Sequence, residues 1–163
     1  MIGVAGMRCP SQHTVRPATV ADAPEVARLL RDFNDEYDEP TPAVETLTER
    51  LCELIVASEA TVLLGGAPPV GLAVIRFRPS LYTRSLDAYL EELYVAPDRR
   101  GEGLGRALLD AALDASREIG AGWIHLGTSV DDTKARGLYE SSGFTNLERQ
   151  PDGPAMLFYE RDL

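Results

Sequence analysis

The chain has 163 residues, the size of one ordinary domain, and is 44% hydrophobic and 26% charged, the balance of a globular protein. No stretch approaches the ~18 apolar residues that a membrane-spanning helix needs, so no membrane partner is expected. With 26 acidic against 16 basic side chains the net charge is −10, which argues against nucleic acid, whose phosphates demand a basic footprint, and is compatible with a cationic substrate.

Residues 1–13 read as an N-terminal tail. Met1 to Met7 are mostly apolar but lack the basic flank of a signal peptide, so a cytoplasmic location is expected. Cys9 and Cys52 are too few and too far apart for a disulfide framework or a metal site, and no metal is expected. Residues 14–16 read as a short strand before Pro17. Thr19 and Asp22 have capping-box spacing, and Val26, Leu29, Leu30 and Phe33 then recur at helical period, predicting a helix over 22–37. Thr41 as cap and Pro42 at the first helical position open a second helix, whose buried side carries Val44, Leu47, Leu51, Leu54 and Ile55. Residues 61–64 and 70–78 read as a hairpin around Gly65 to Pro69, and 86–95 as a further strand ended by Pro97. A long helix covers 103–119, with Leu104, Leu108, Ala111, Ala115 and Ile119 on one side, and Gly120 and Gly122 flank its end. Residues 123–128 read as a strand, and 132–142 as a short helix closed by Gly143. Residues 144–149 and 155–160 are expected as strands around the turn Pro151-Asp152-Gly153. The fold class implied is α/β, a mixed, mostly antiparallel central sheet with helices on both faces, in one domain over 14–163.

The segment from Val95 to Arg106 carries the chemistry. A strand ends, a glycine-spaced loop follows, and a helix begins. Gly101, Gly103 and Gly105 let backbone N–H groups approach an anion, and the helix start adds unpaired donors and roughly half a positive charge. Arg99, Arg100 and Arg106 add side-chain charge. The glycine spacing fits neither a dinucleotide fingerprint, since Arg106 and Leu108 stand where its last glycine would fall, nor a Walker loop, since Lys134 is the only lysine. On spacing alone, a glycine-rich turn before a surface helix stays open.

Taken with the later segment from Asp132 to Phe144, this loop resembles the GCN5-related N-acetyltransferases. That family carries Arg/Gln-x-x-Gly-x-Gly/Ala, matched by Arg100, Gly103 and Gly105, and a pattern like Asn-x-x-Ala-x-x-Leu-Tyr before Gly-Phe, matched by Ala135, Leu138, Tyr139, Gly143 and Phe144. The resemblance covers about residues 14–160, and the strand from Tyr89 to Val95 is most similar to the spermidine/spermine acetyltransferase branch. Asp132 departs from the pattern, standing where the family often has Asn.

The resemblance implies acetyl-CoA as co-substrate and an amine as acceptor. It implies that Leu93, Tyr94 and Val95 pair their backbone with the pantetheine arm, and that Gly101, Glu102, Gly103, Leu104, Gly105 and Arg106, with Arg100 and Asp132, hold the rest of the coenzyme. Coenzyme A is polyanionic, and a loop whose donors are mostly backbone groups reconciles it with an acidic chain. Tyr139 is then the candidate general acid for the leaving thiolate. A lysine-like amine has a pKa of about 10.4, so a base must take a proton. Glu91 and Glu92 are the candidates. Adjacent on a strand, they face opposite sides, and the resemblance favours Glu91. The acidic run Asp32, Asp35, Glu36, Asp38 and Glu39 reads either as a mouth for a cationic amine or as a solvated helix end. The expected partner is a small-molecule amine, with a homodimer left open. A protein lysine or N-terminal acetyltransferase and a non-catalytic acyl-CoA sensor are the alternatives.

Overall fold

The computed structural model describes residues 13–148 and 152–163. They form two compact units, divided after Ile124. Cys9 and most of the expected tail lie outside the described residues, as do Arg149 and Pro151.

The first unit is built on a five-stranded sheet in the order β1-β2-β3-β4-β5. The strands are β1 (Val15–Pro17), β2 (Ala60–Gly65), β3 (Gly71–Pro79), β4 (Leu86–Val95) and β5 (Ala121–His125). The pairs from β1 to β4 are antiparallel. Between β4 and β5 runs helix α3 (Leu104–Glu118), the length of crossover that a parallel pair needs. The start of β4 lies beside the start of β5, where the Leu86 N–H donates to the Gly120 carbonyl at 3.3 Å, so the two run the same way. The sheet is therefore mixed and mostly antiparallel, as the sequence implies.

Strand alternation sorts the side chains into two layers. Val62 and Leu64 of β2, Leu72 and Val74 of β3 and Tyr94 of β4 join the buried cluster of α1 (Ala23–Glu36) and α2 (Val44–Val56), which supply Val26, Leu29 and Leu51. The other face packs on α3. A Cβ at Gly65 would meet Leu104 and Leu108, and one at Gly71 would meet Leu108. On α3 the buried residues are Leu104, Ala107, Leu108, Leu109, Ala112 and Ser116. The expected stripe through Ala111, Ala115 and Ile119 is rotated: Ile119 is exposed, because the seam with the sheet follows Leu104, Leu108 and Ala112.

Local chemistry sets the helix starts. Asp22 accepts the Thr19 backbone N–H at 2.7 Å and pairs with both Arg16 guanidinium nitrogens, at 2.9 and 2.6 Å. These bonds hold its carboxyl far below the usual range, Arg16 being the largest cause. They close a 3-10 turn (Val20–Asp22) from which α1 continues. Helix α2 starts at Val44, two residues later than expected. Ala43 is still extended, with ψ 146, and the Thr41 hydroxyl turns back to the Glu39 carbonyl at 3.4 Å instead of capping.

In the second unit, α4 (Thr133–Ser141) is capped by Asp132, whose Oδ1 accepts the Ala135 N–H at 2.9 Å, and Gly143 at φ +92 follows its end. The strands expected over 144–149 and 155–160 are not formed among the described residues. One bridge, Leu147 with Ala155, stands in their place. Leu157, Phe158 and Tyr159 are 71% to 83% exposed, so among the described residues no layer covers them and the alternation that suggested a strand is not put to use. The strand expected over 123–128 likewise ends at His125.

At Gly71 the backbones of β3 and β4 leave no room for a side chain: a Cβ there would lie 2.7 Å from the Tyr94 carbonyl oxygen. Overpacking of this kind costs about 1–3 kcal/mol. Gly71→Val is expected to lower Tm by roughly 2–12 °C, at about 2–4 °C per kcal/mol for a chain of this size, read by calorimetry.

Candidate active site

From β4 the chain passes through a 3-10 turn (Pro97–Arg99) into Gly101, at φ +81, and Gly103, at φ +96, and enters α3 at Leu104. These positive φ values favour glycine, and a Cβ at Gly101 would meet nothing within 4 Å, so conformation and not space sets the residue there. From Glu102 to Gly105 no backbone N–H meets a backbone acceptor among the described residues. The loop thus presents consecutive donors at a helix start, the arrangement that suits phosphate.

Arg99 and Arg100 are matched by carboxylates. Arg99 Nε donates to Glu102 Oε2 at 3.2 Å. Arg100 donates from both terminal nitrogens to the two oxygens of Glu36, each at 2.6 Å, and from Nε to the Val95 carbonyl at 2.8 Å, with its guanidinium 5.9 Å from the Tyr94 ring centre. The attraction for an anion therefore rests more on backbone groups than the count of arginines suggests. The acidic run is also less bare than it reads. Asp32 pairs with Arg28 at 2.6 Å and Asp35 with Arg31 at 3.8 Å, and Glu36 is taken by Arg100.

The strand before the loop carries a register shift. Val74 of β3 faces Glu92 and Ile75 faces Leu90, so Glu91 is an extra residue with no partner in register. Glu92 and Tyr94, opposite Val74 and Leu72, lie on the α1–α2 face, whereas Leu93 and Val95, opposite Ala73 and Gly71, lie on the α3 face. Leu90, which simple alternation groups with Glu92, falls opposite Ile75 instead. Glu91 is exposed and 3.8 Å from Arg76. Glu92 is half-buried, and burial first and then the neighbouring Glu91 push its carboxyl up to about 7. The environment thus singles out Glu92, where family likeness favours Glu91. Alongside, β5 ends after five residues while β4 runs for ten, so from a common start β4 outlasts its neighbour strand and the end leading to Leu93, Tyr94 and Val95 has no strand on that side among the described residues.

In the second unit Tyr139 is half-buried on α4, its ring edge-on to Phe144 at 5.9 Å between centres. Asp132 spends one oxygen on the helix cap. His13 is a loop contact that sequence reasoning missed: its Nε2 lies 2.6 Å from the Glu102 carbonyl oxygen. No periodicity or motif joins residues 89 positions apart.

The Acetyltransferase (GNAT) family matches residues 24–144, most of the chain and both segments singled out above. The chain belongs to the GNAT family. It is similar to aminoglycoside N(6')-acetyltransferase type 1 of Stenotrophomonas maltophilia, 33% identical over 146 residues, covering 85% of this chain and 90% of that one. A crystal structure from Arthrobacter sp. FB24, of a protein assigned to the acetyltransferases, matches at 44% identity with a TM-score of 0.86, over 96% of this chain and all of that one. An acetyltransferase from Clostridium acetobutylicum with acetyl-CoA shares the fold at 20% identity and TM-score 0.69, over 85% of this chain and 94% of that one. This GNAT protein is an N-acetyltransferase, and its family uses acetyl-CoA.

A carboxyl raised to about 7 holds its proton more tightly in the folded protein than in the unfolded chain, where it titrates near 4.5. Its contribution to stability is full below 4.5 and is lost as pH rises through about 7. Glutamine at this position has no proton to lose. Glu92→Gln is therefore expected to melt higher relative to the parent at pH 8 than at pH 5, as read by paired thermal melts.

Proposed function

We propose that this GNAT enzyme acetylates a primary amine of a small cationic molecule, with Glu92 as general base, Tyr139 as general acid and the loop from Arg100 to Arg106 holding the anionic end of acetyl-CoA. The observation that carries the reading is Glu92, a half-buried carboxyl whose pKa of about 7 suits proton abstraction at neutral pH.

The residues present fit the coenzyme. Donors from Glu102 to Gly105 without backbone acceptors are what a diphosphate needs, and the unaccompanied end of β4 suits an amide-bearing pantetheine arm pairing with the backbone of Leu93 to Val95. Asp132 is the weakest of the assigned contacts, since its carboxylate cannot donate and already caps α4. When bound, the coenzyme supplies a thioester carbonyl for attack and a thiolate to leave. Glu92 takes the proton that keeps the amine from acting as a nucleophile, directly or through water. Tyr139 gives its phenolic proton to the departing sulfur. A cationic acceptor accords with the net charge of −10, and the similar Stenotrophomonas enzyme is named for an aminoglycoside. The spermidine/spermine branch is one way to meet the same requirement.

Free-thiol release from acetyl-CoA across a panel of cationic and neutral amines tests the reading. Cationic amines are expected to turn over faster, with kcat/KM rising through an apparent pKa near 7. Glu92→Gln is expected to lose about 10²–10⁴-fold and that pH limb with it. A parent enzyme that prefers neutral amines overturns the acceptor assignment, and an intact limb in Glu92→Gln overturns the base.

Tyr139→Phe removes one hydroxyl and little packing. The expected result is a fall in kcat of at least about tenfold with unchanged coenzyme affinity, the mark of an interaction made in the transition state. Turnover equal to the parent's would remove Tyr139 from the mechanism.

A further inference from the structure

We propose that His13 is a positioning residue of the coenzyme loop, holding the Glu102–Gly103 peptide with its N–H directed to the phosphate side. The proposal rests on the coenzyme reading above.

His13 stands two residues before β1, outside the segment that matches the family. Its Nε2 is 2.6 Å from the Glu102 carbonyl oxygen. A carbonyl only accepts, so Nε2 carries the proton and donates. A trans peptide is planar, with its C=O and N–H pointing opposite ways. Fixing the Glu102 carbonyl on the His13 side therefore turns the Gly103 N–H to the other side. That N–H is one of the consecutive donors from Glu102 to Gly105 that meet no backbone acceptor among the described residues.

The loop needs such a restraint. Gly101 and Gly103 both have positive φ, and glycine flips between conformations at little cost. Rotation of the single peptide between Glu102 and Gly103 would replace a donor facing the phosphates by a carbonyl oxygen. Nothing in the Arg100 clamp prevents that, because its bonds end at Val95 and Glu36. The His13 ring lies against Gly103, where a Cβ would stand 3.5 Å from Nε2, at ordinary contact distance. The hydrogen bond thus orders a peptide that the glycine sequence leaves loose.

The test compares the full chain with His13→Ala and with His13→Gln, whose amide keeps a donor. The probes are coenzyme A and 3′-phospho-ADP, its diphosphate-bearing fragment without the pantetheine arm, with affinities read by calorimetry. His13→Ala is expected to weaken both probes by the same factor, roughly three- to tenfold, the worth of one hydrogen bond. His13→Gln is expected to recover most of it. In turnover, KM for acetyl-CoA should change more than kcat. Equal affinity in the parent and His13→Ala, equal losses in the Ala and Gln variants, or a loss for coenzyme A without one for the fragment would each overturn the proposal. A parent protein that binds neither probe would overturn the coenzyme reading itself, and this inference with it.

Discussion

In β4, Leu90 and Glu92 lie opposite neighbouring residues of β3, and Glu91 between them has no partner. That one extra residue reverses the alternation of the strand. Before it, Leu90 faces Ile75 on the α3 side; after it, Glu92 joins Tyr94 and Val74 on the α1–α2 side. The carboxyl is thereby carried from the solvated surface, where Glu91 remains beside Arg76, into a half-buried position that raises its pKa to about 7. A bulge also bends and twists the strand that bears it. The proposed base and the strand end leading to the loop both depend on this local insertion.

An acidic protein that holds a polyanion must concentrate its attraction. In the coenzyme site proposed above, that attraction comes from the backbone. Arg99 and Arg100 are neutralised by Glu102 and Glu36, whereas the N–H groups from Glu102 to Gly105 meet no backbone acceptor among the described residues and the start of α3 adds a fixed dipole. The overall charge of −10 is compatible with the proposed cationic acceptor and the proposed anion site together, because the donors act at contact range and the net charge acts at long range, where salt screens it.

The Arg100–Glu36 pair does more than cancel charge. It ties the last residue of α1 to the turn after β4, with Nε on the Val95 carbonyl and the guanidinium against Tyr94, whose ring meets Phe33 of α1 at 5.3 Å. An exposed ion pair contributes little to stability, but a bidentate one with a further backbone bond fixes geometry. The motif residue of the loop and the acidic helix end, which read as separate features in the sequence, are one joint in the fold.

Much of the architecture was legible in the order of residues because it is set locally. Helical periodicity located α1, α2, α3 and α4 to within a few residues, turn chemistry located the hairpin, and two short motifs, Arg100 to Gly105 and Ala135 to Phe144, pointed to the family. What the sequence could not determine depends on partners distant along the chain. The choice between Glu91 and Glu92 turns on a register shift against β3, and strand alternation alone assigns the wrong neighbour to Glu92. The rotation of the buried stripe of α3 depends on where Gly65 and Gly71 open the sheet to Leu104 and Leu108. The failure of 155–160 to pair as a strand reflects missing cover, which alternation cannot report. The partners of Arg100 and Glu102 lie 64 and 89 residues away, at Glu36 and His13. Periodicity and motif spacing report what a residue does to its near neighbours; register, burial and long-range pairing arise only when separate segments compete for the same surface, and those set the surroundings of Glu92, Arg100 and Glu102.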